Sequence, residues 1–589
     1  MPSVIAPDGT TVYIPGVYQN QEVISDLPGA TPEFHIPVVI GDANMGHPYN
    51  AQDLKYANED AFSPFRLCKT TAAVEAYYGK GSEIAKAFRI AKRHGLPFAY
   101  CCAINAMTRA SIVATSTGPV DELTLFSKTF GAVGGHHKVT VTVTPSSITI
   151  TPVKRHTLLT SNAAATDKRI YVQDNSWAAI GQSYELGDNT QANQAFVVAD
   201  KGEEYDSNGQ IVYWIEATAA VGAIFATAQY AMLVEYDTVN VEESGTITTG
   251  QEFYDFLNDT SKYVGAKKEA TFSDVVLIAQ AIKPMKEIAA WNAPTDGTSP
   301  AGTVTEHDDL ISDLDASEWD NFLLTYGVVP QAFLVVDGSS TIHASWRDWA
   351  ATKRAEGWPV SFTVGCDWGD TDVTGNVDTN SRYRAQTLNS QDMMLCAGGM
   401  DFQASYLSTA PAVFGRRIGG GLNHNLTNDE LLYSNLEKIW DERSSGELTL
   451  LTRSGVVTQR LRVAGNPRYV VSEGLSTLQN NGSSWNTVTN DTPLVMQRDL
   501  ADFFDRVTKE DLDGTQVGAD AVSADSIAAV LRNRVEKTLE RKNYVVKGSY
   551  TISEIALQDS GAGYDVTHQV QFPTTLDFIT TNTQILVGE

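Results

Sequence analysis

The chain has 589 residues, 42% of them hydrophobic and 9% aromatic, and a formal net charge of -28 at pH 7. This length exceeds what one hydrophobic core supports, so we expect several domains, and the composition is that of a globular rather than a disordered protein. Because phosphate backbones repel so acidic a chain, the charge argues against direct nucleic-acid binding and favours a soluble surface or a complementary partner.

No membrane or secretory segment is predicted. The residues from Met1 to Val4 lead into neither a basic nor a long apolar run, so no signal peptide is expected. Ala217 to Val234 is uncharged and about as long as a membrane span. Its alanines, together with Thr218 and Thr227, predict a buried strand and helix instead.

Cysteine and histidine patterns give no metal site. The five cysteines are Cys68, Cys101, Cys102, Cys366 and Cys396. Without a Cys-x-x-Cys pair or a nearby histidine they predict small apolar groups, although the odd number leaves open a link between subunits. His136 and His137 are adjacent, so in a strand they point to opposite faces, and we expect a solvated turn there.

The first 40 residues contain short β-type runs broken by proline. Thr11 to Ile14 precede Pro15-Gly16, and Val17-Tyr18 follow. No hairpin partner is evident, so we expect either a frayed end or a strand that pairs with another chain.

The next segments alternate strand and helix. Val38 to Ile40 predicts a strand that enters a glycine-rich turn, and this turn lacks the lysine of a phosphate-binding loop. Ile84, Ala87, Phe88 and Ala91 form a helical stripe, and a strand from Phe98 to Ile104 completes a β-α-β unit.

From about residue 131 to 236 the pattern changes to alternating strands. Val139 to Thr144 and Ile148 to Thr151 alternate strictly between apolar and polar residues, as half-buried strands do. Residues 240–300 predict helices, and a Pro/Gly/Thr/Ser linker follows from Ala293 to Thr305.

The segment from Gln331 to Leu426 organises the second half of the chain. An apolar strand at Ala332 to Val336 precedes a helix that Ser339 or Ser340 is expected to cap. Another strand follows at Val360 to Val364. Strand, helix and strand at this spacing predict a crossover in a parallel sheet.

The same segment continues in an order that matches a known family. Arg384 to Ser390 precede a strand at Met393 to Ala397 and then Gly398-Gly399; a small-residue helix from Ala410, the turn Gly419 to Gly421 and Leu426-Thr427 complete it. This order resembles the tail sheath proteins of contractile bacteriophages. The stretch Tyr13 to Tyr18 is similar to their N-terminal extension.

The C-terminal block predicts short strands at 448–451, 458–463 and 468–471, then two helices and two more strands at 544–553 and 566–572. Leu500, Phe503, Phe504 and Val507 make a regular apolar stripe. The second helix runs from about Asp525, its expected cap, to Arg541. Its outer face is basic, which is unusual in an acidic chain, and consists of Arg532, Arg534, Lys537, Arg541 and Lys542.

The resemblance implies an α/β and α+β multidomain fold, with a sheath-type α/β core built from N- and C-terminal parts and an inserted outer β-domain. The expected boundaries are 1–35 (N-terminal arm), 36–130 (α/β part of the core), 131–240 (outer β-domain), 241–305 (helical segment and linker), 306–445 (α/β domain), 446–575 (inner C-terminal α+β domain) and 576–589 (C-terminal arm).

The resemblance also implies a function. The chain would be a homo-oligomeric subunit of hexameric discs stacked around a tail tube, with baseplate and tail terminator proteins at the ends, in a virion tail assembled in the host cytoplasm. No cofactor, metal, nucleic acid or membrane is expected to bind. The segments expected to exchange strands between subunits are Val12, Tyr13, Ile14, Val17, Tyr18, Ile585, Leu586 and Val587. The basic helix face would point towards an acidic tube.

Two alternatives remain open: another virion or shell protein, and an α/β enzyme. Asp337 and Asp367 follow predicted parallel strands, where α/β enzymes place ligands, but helix capping and loop solvation are the favoured explanation of both. Asp370 to Gly375 opens like a calcium loop, yet Ser381 occupies the position of the bidentate glutamate. His343, beside Trp346, is expected to pack, and no nucleophile elbow or zinc-protease motif occurs.

Overall fold

The computed structural model describes residues 4–5, 11–12, 35–49, 64–105, 109–115, 121–143, 146–188, 193–205, 211–227, 231–269, 271–272, 303–320, 322, 329–366, 381–397, 409–422, 424–432, 450–462, 468–478, 495–515, 523–557 and 564–573. The loop from Asp367 to Gly375 lies outside them.

The α-helices are α1 Thr71–Tyr78, α2 Glu83–Arg93, α3 Gly250–Asp255, α4 Val304–Asp313, α5 Ser340–Ala355, α6 Ser381–Leu388, α7 Ala410–Gly420, α8 Val495–Thr515 and α9 Ala524–Arg534. The strands are β1 Val4–Ile5, β2 Thr11–Val12, β3 Pro37–Gly41, β4 Arg66–Cys68, β5 Ala99–Ala103, β6 Arg109–Thr115, β7 Asp121–Phe130, β8 Lys138–Val143, β9 Ser146–Thr151, β10 Val153–Leu158, β11 Arg169–Val172, β12 Ser183–Gly187, β13 Gln194–Tyr205, β14 Ile211–Ala217, β15 Met232–Tyr236, β16 Glu242–Glu243, β17 Val264–Lys268, β18 Ala332–Val335, β19 Ser361–Cys366, β20 Met393–Ala397, β21 Val456–Val457, β22 Gln459–Arg462, β23 Arg468–Val471, β24 Thr551–Leu557 and β25 Tyr564–Gln569.

A seven-stranded sheet in the order β21-β20-β19-β18-β3-β5-β4 joins the two halves of the chain. Adjacent strands in this sheet are parallel, except that β4 runs antiparallel to β5. The central pair is β18 and β3, with Ala332 opposite Pro37, so distant parts of the sequence form one sheet. Its inner strands are apolar throughout because helices cover both faces. The predicted β-α-β units are confirmed.

Alternate side chains of this sheet enter two separate cores. On one face Leu334 packs with Phe88 of α2 and Phe414 of α7. On the other, Phe333 stacks on Phe362 with ring centroids 5.0 Å apart, and Trp346 of α5 lies 5.2 Å from Phe362. The helical stripe predicted for α5 is therefore its buried face.

Helices α2 and α7 approach each other closely because α7 carries glycines on the contact face. A Cβ atom at Gly419 would lie 2.6 Å from the carbonyl oxygen of Gly95, and Gly415 faces the backbone of Ala91 equally closely. The helix continues through Gly420, and the chain turns at Gly421 with a φ of 83°. The glycine-rich segment therefore serves helix packing as well as the predicted turn.

The β-rich part contains one six-stranded antiparallel sheet, β10-β15-β12-β13-β14-β11, and the three-stranded sheets β17-β7-β6 and β16-β9-β8. Of the strand and helix predicted between Ala217 and Val234, the buried strand is present as Met232–Tyr236, but the described residues 218–227 contain no α-helix, because a short apolar run does not by itself separate strand from helix. Val264–Lys268, within the region predicted as helical, is a strand as well. No helix in the described residues is long and apolar enough to cross a membrane.

Three local predictions fail through tertiary packing. His136 and His137 are buried, not solvated, because a short 3-10 helix (Ala132–His136) carries them beneath the sheets. The predicted strand at 448–451 is a helical turn where it is described, at 450–453. The strand predicted from Tyr544 begins only at Thr551, since the residues before it form turns.

Candidate assembly surface

The C-terminal helices and hairpin form one packed unit. The predicted stripe of α8 is buried and contacts Val535 and Leu539, which continue α9 as a wider π-helical turn. Phe504 of α8 lies with its ring centroid 5.3 Å from that of His568 and 6.1 Å from that of Phe572. The helices thereby fix the position of the β24–β25 hairpin.

The N-cap of α9 lies two residues before Asp525, the predicted cap. The Ser523 hydroxyl accepts a hydrogen bond from the Ser526 amide at 3.1 Å, and the Ser526 hydroxyl accepts one from the Ser523 amide at 3.1 Å, so Ser523 and not Asp525 is the N-cap. Asp525 lies in the first turn, where its charge suits the helix dipole. Ile527 and Leu531 face the core as predicted.

The outer face of α9 and the turn after it are basic and exposed. Between residues 523 and 550 the sequence has six basic and three acidic residues. The exposed basic side chains there include Arg532, Lys537, Arg541 and Lys542. This is a local positive surface on a strongly negative chain.

Arg534 differs from the other predicted members of this face. Its Nε lies 2.7 Å from Oδ2 of Asp511 in α8, and both side chains are partly buried. Nearby, Glu540 accepts a hydrogen bond from the Gly548 amide at 2.8 Å. Arg534 therefore joins two helices, and the other four cations define what we call the basic face: Arg532, Lys537, Arg541 and Lys542.

Buried ion pairs hold α8 against the α/β sheet. Arg354 of α5 donates from Nε to Asp392 at 2.9 Å and from Nη1 to Asp502 of α8 at 2.8 Å. Burial favours the neutral carboxyl in both aspartates, and in Asp502 Arg354 and Arg498 overcome this effect and lower its pKa. In Asp392 burial prevails over Arg354, and its pKa is raised.

A second buried ion pair lies one helical turn away. Arg417 of α7 binds the carboxylate of Asp499 through two nitrogens, with Nε 2.9 Å from Oδ2, and His35 Nε2 lies 3.2 Å from the same oxygen. Burial opposes the charge of Asp499, but Arg417 and His35 hold its pKa well below the ordinary value. These pairs tie α5, α7 and the segment before β3 to α8.

Most of the predicted strand-exchange residues lie outside the described residues: Tyr13, Ile14, Val17, Tyr18, Ile585, Leu586 and Val587. Val12 lies in β2, which pairs antiparallel with β1, Val4 opposite Val12. The N-terminal run thus has a hairpin partner that we did not expect. At the other end, β24 and β25 pair only with each other within the described part of the chain, so each has an open edge there.

The residues that suggested an enzyme are held by structural contacts. His343 donates from Nε2 to the Asp337 carbonyl at 2.7 Å and accepts at Nδ1 from Arg384 at 3.0 Å. Burial lowers the pKa of His343 to about 3. Both imidazole nitrogens are therefore engaged, and the ring packs as predicted.

Ser339 occupies the N-cap position of α5, and Asp337 lies two residues before it. Its carboxylate accepts a hydrogen bond from the Ser339 amide, whereas Ser339 makes no side-chain cap, so that prediction is wrong. Burial raises the pKa of Asp337 to about 6. The Asp337 carboxylate thus holds the turn before the helix, while Asp367 lies outside the described residues.

All five cysteines are buried, and none forms a disulfide bond within the chain. Cys366 Sγ lies 3.4 Å from Ser381 Oγ and 3.5 Å from the Cys396 carbonyl oxygen, within the apolar sheet. They pack as the small apolar groups that the sequence predicts. Within the described ranges no cluster of three or more His, Cys, Asp or Glu side chains could hold a metal ion.

The interhelical ion pairs were not foreseen. Arg354, Arg417 and the aspartates that they bind are far apart in sequence and share no motif. The sequence offered one indication of them: Asp499 and Asp502 lie beside the apolar stripe of α8. An acidic side chain in such a buried position needs a cationic partner.

No protein-family model and no curated protein matches the sequence. Among solved structures, the sheath tail protein of Desulfitobacterium hafniense is 11% identical, with a TM-score of 0.45 over 95% of this chain and 100% of that chain. The sheath tail protein of Listeria innocua is 11% identical, with a TM-score of 0.48 over 92% of this chain and 93% of that chain. The helical sheath of the anti-feeding prophage in its contracted state is 11% identical, with a TM-score of 0.36 over 49% of this chain and 77% of that chain.

Proposed function

We propose that this chain is the structural subunit of a contractile tail sheath, which polymerises as stacked hexameric rings around a tail tube and contracts to drive the tube through the host envelope. The observation that carries the proposal is the residue order from Gln331 to Thr427, which resembles bacteriophage sheath proteins. Within the described residues this order folds as β18-α5-β19-α6-β20 of one parallel sheet with α7 packed on it. A shared order of unrelated short segments is more specific than any one of them.

The terminal segments supply the contacts between subunits. Residues 12–18 and 585–587 are β-type runs near the two chain ends, and an extended run can add a strand to an open sheet edge. The β24–β25 hairpin offers such edges on a unit that the buried ion pairs fix to the sheet. A head-to-tail contact between identical subunits generates a helical stack when its rotation does not close the subunits into a ring.

The basic face contacts the tail tube. Its four cations are exposed, on a helix and following turn whose Val535 and Leu539 pack into the core of the C-terminal unit. Individual exposed ion pairs contribute only about 0–1 kcal/mol, so contacts with an acidic tube can break one subunit at a time during contraction. Arg534, which pairs within the subunit, is not part of this contact.

The remaining partners follow from the same role. Baseplate and tail terminator proteins bind the two ends of the stack, and the protein belongs to a virion tail assembled in the host cytoplasm. The function needs no cofactor, and the acidic chain makes no direct contact with nucleic acid.

Negative-stain electron microscopy of the purified full-length chain tests the proposal. We expect hollow tubes of uniform diameter with an axial repeat. Particles that stay compact and monomeric at every protein concentration and ionic strength tried would refute it.

Charge reversal of the basic face tests the tube contact separately. The Glu variants of Arg532, Lys537, Arg541 and Lys542 should fold normally and still polymerise, but assemble poorly on tubes or contract early. The control reverses four exposed cations elsewhere: Lys69, Arg93, Lys168 and Arg453. Because both variants change the net charge equally, equal assembly on tubes would contradict an inward-facing basic face.

A further inference from the structure

Residues 153–236 form a closed barrel with its own core. The outer strands of the six-stranded sheet, β10 and β11, meet where Leu159 pairs with Val172, and the Gln173 amide donates a hydrogen bond to the Leu158 carbonyl at 3.0 Å. The buried apolar side chains inside the barrel form a cluster separate from the two cores of the parallel sheet. A closed sheet pairs its own strand edges, so the barrel does not need other parts of the chain to complete its hydrogen bonds.

The chain enters and leaves this barrel at one place. Val153 in β10 pairs with Tyr236 in β15, and the Asp237 amide donates a hydrogen bond to the Pro152 carbonyl at 2.9 Å. The two covalent connections therefore lie side by side at the ends of neighbouring strands. A few residues at the ends of regular elements are what a hinge between rigid bodies requires.

A small apolar cluster lies beside these connections. Val133, in the short 3-10 helix before β8, packs with Leu158, Met232 and Val234 of the barrel, and the partly buried Met45 lies against them. This cluster is much smaller than the core of the barrel itself. Relative motion is the default for two domains unless the interface between them is large and hydrophobic, so a cluster of this size permits the barrel to tilt.

The barrel is joined by polar side chains to the domain of the parallel sheet, across a cleft of about 830 Å³ between α1 and β10. Lys80 Nζ lies 3.2 Å from Asp174 Oδ2 and donates a hydrogen bond to Ser176 Oγ, and Asn44 Nδ2 donates to Gln173 Oε1 at 2.7 Å. We call these five residues the latch. Contacts between partly exposed groups such as these are individually weak, so the latch can open and close.

A glycine allows the two sides of the latch to approach each other. A Cβ atom at Gly81, next to Lys80, would lie 2.7 Å from Oε1 and 2.9 Å from Cβ of Gln173. The closed arrangement therefore has no room for a methyl group at this position unless Gln173 moves. A larger residue at Gly81 would act as a wedge between the barrel and the parallel-sheet domain.

We infer that the barrel is hinged: it tilts as one body about the connections at residues 152–153 and 236–237, and the latch holds it in the closed position. Opening breaks the ion pair of Lys80 and the hydrogen bond of Asn44, widens the cleft, and leaves the cores of the barrel and of the parallel sheet unchanged. The inference is independent of the proposed sheath function, because it uses no contact between subunits.

Single-molecule fluorescence energy transfer tests the hinge in the full-length chain at high dilution. Dyes at Arg93→Cys and Asp200→Cys report the distance between the parallel-sheet domain and the barrel, and dyes at Arg93→Cys and Arg453→Cys form a control pair within the parallel-sheet domain. All three positions are exposed, whereas the five native cysteines are buried. We expect closed and open states for the first pair, seen as two populations or one broadened population, and a single narrow population for the control pair.

Matched variants assign the latch. Lys80→Met and high salt should each raise the ratio of open to closed molecules about two- to fivefold, the range expected for an exposed ion pair, and Gly81→Ala should also favour the open state. Lys154→Met is the control, because Lys154 pairs at 2.7 Å with Glu235 inside the barrel and should not change the ratio. If Gly81→Ala fails to fold, the exposed Lys80→Met decides. A single narrow population for the first pair that neither salt nor Lys80→Met shifts, or an equal shift in Lys154→Met, would overturn the inference.

Discussion

The buried ion pair between Arg417 and Asp499 helps to hold α8 against the parallel sheet. Both side chains are about 95% buried, and Arg417 also donates to Ser361 Oγ at 2.8 Å. Arg417→Met leaves the Asp499 carboxylate buried with only His35 beside it. Removing one partner of such a pair costs about 3–5 kcal/mol.

Hydrogen exchange of the amides in α8 measures this loss where it occurs. A decrease of about 3–5 kcal/mol corresponds to exchange that is faster by a hundred- to several-thousand-fold. The control is Arg468→Met, since Arg468 and Glu430 form an exposed pair of similar geometry, 3.1 Å apart. Exposed pairs contribute about 0–1 kcal/mol, so the control should exchange almost normally.

Two further results are expected for the Arg417–Asp499 pair. The double variant Arg417→Met with Asp499→Leu should recover most of the loss, because apolar replacement of a whole buried pair is close to neutral. The folded-state pKa of Asp499 lies below its unfolded value, so the pair stabilises the wild type above about pH 4 and loses its effect as the pH falls further. The defect of Arg417→Met should shrink towards pH 4, as the orphaned carboxyl gains a proton. Exchange in Arg417→Met equal to that in Arg468→Met would refute the account.

The other predictions concern Asp337 and the helix contact at Gly419. The pKa of Asp337 is raised to about 6, so the folded state holds its proton more tightly, and the associated stability is lost as the pH rises from about 4 through 6. Asp337→Asn, which keeps the acceptor for Ser339, should remove this pH dependence and raise the free energy of unfolding at pH 7 by about 1–3 kcal/mol; urea titrations at pH 4 and 7 check it, and a destabilised variant at pH 7 would contradict the assigned cause. Gly419→Ala places a methyl group 2.6 Å from the Gly95 carbonyl oxygen and should cost about 1–3 kcal/mol. Gly338→Ala, with no atom within 4 Å of the new methyl group, is the control, and equal stabilities would show that α2 and α7 can separate freely.

The regular elements with long periodic patterns could be predicted from sequence. The stripe from Leu500 to Val507 has helical spacing, and the structure buries it as a helix face. Short apolar runs were less decisive: β18 and β20 are strands as predicted, but Leu450 and Leu451, predicted as part of a strand, lie in a helical turn, because a short apolar run does not by itself separate strand from helix.

The candidate surface was predictable only in part. The basic residues of α9 follow from helical spacing, but the pairing of Arg534 with Asp511 depends on how α8 and α9 pack, which the sequence pattern does not encode. The same holds for Arg354 with Asp502 and for the burial of His137. Each requires the juxtaposition of different secondary-structure elements.

The central claim is that the chain ends complete the sheets of neighbouring subunits, and deletion of both ends tests it most directly. A variant containing residues 19–577 keeps all the helices, and the strands from β3 onwards, that the structure describes. We predict a monomer with unchanged circular dichroism and α8 protection that forms no tubes under conditions where the full-length chain does. Ordered tubes formed by this truncated chain would contradict the account.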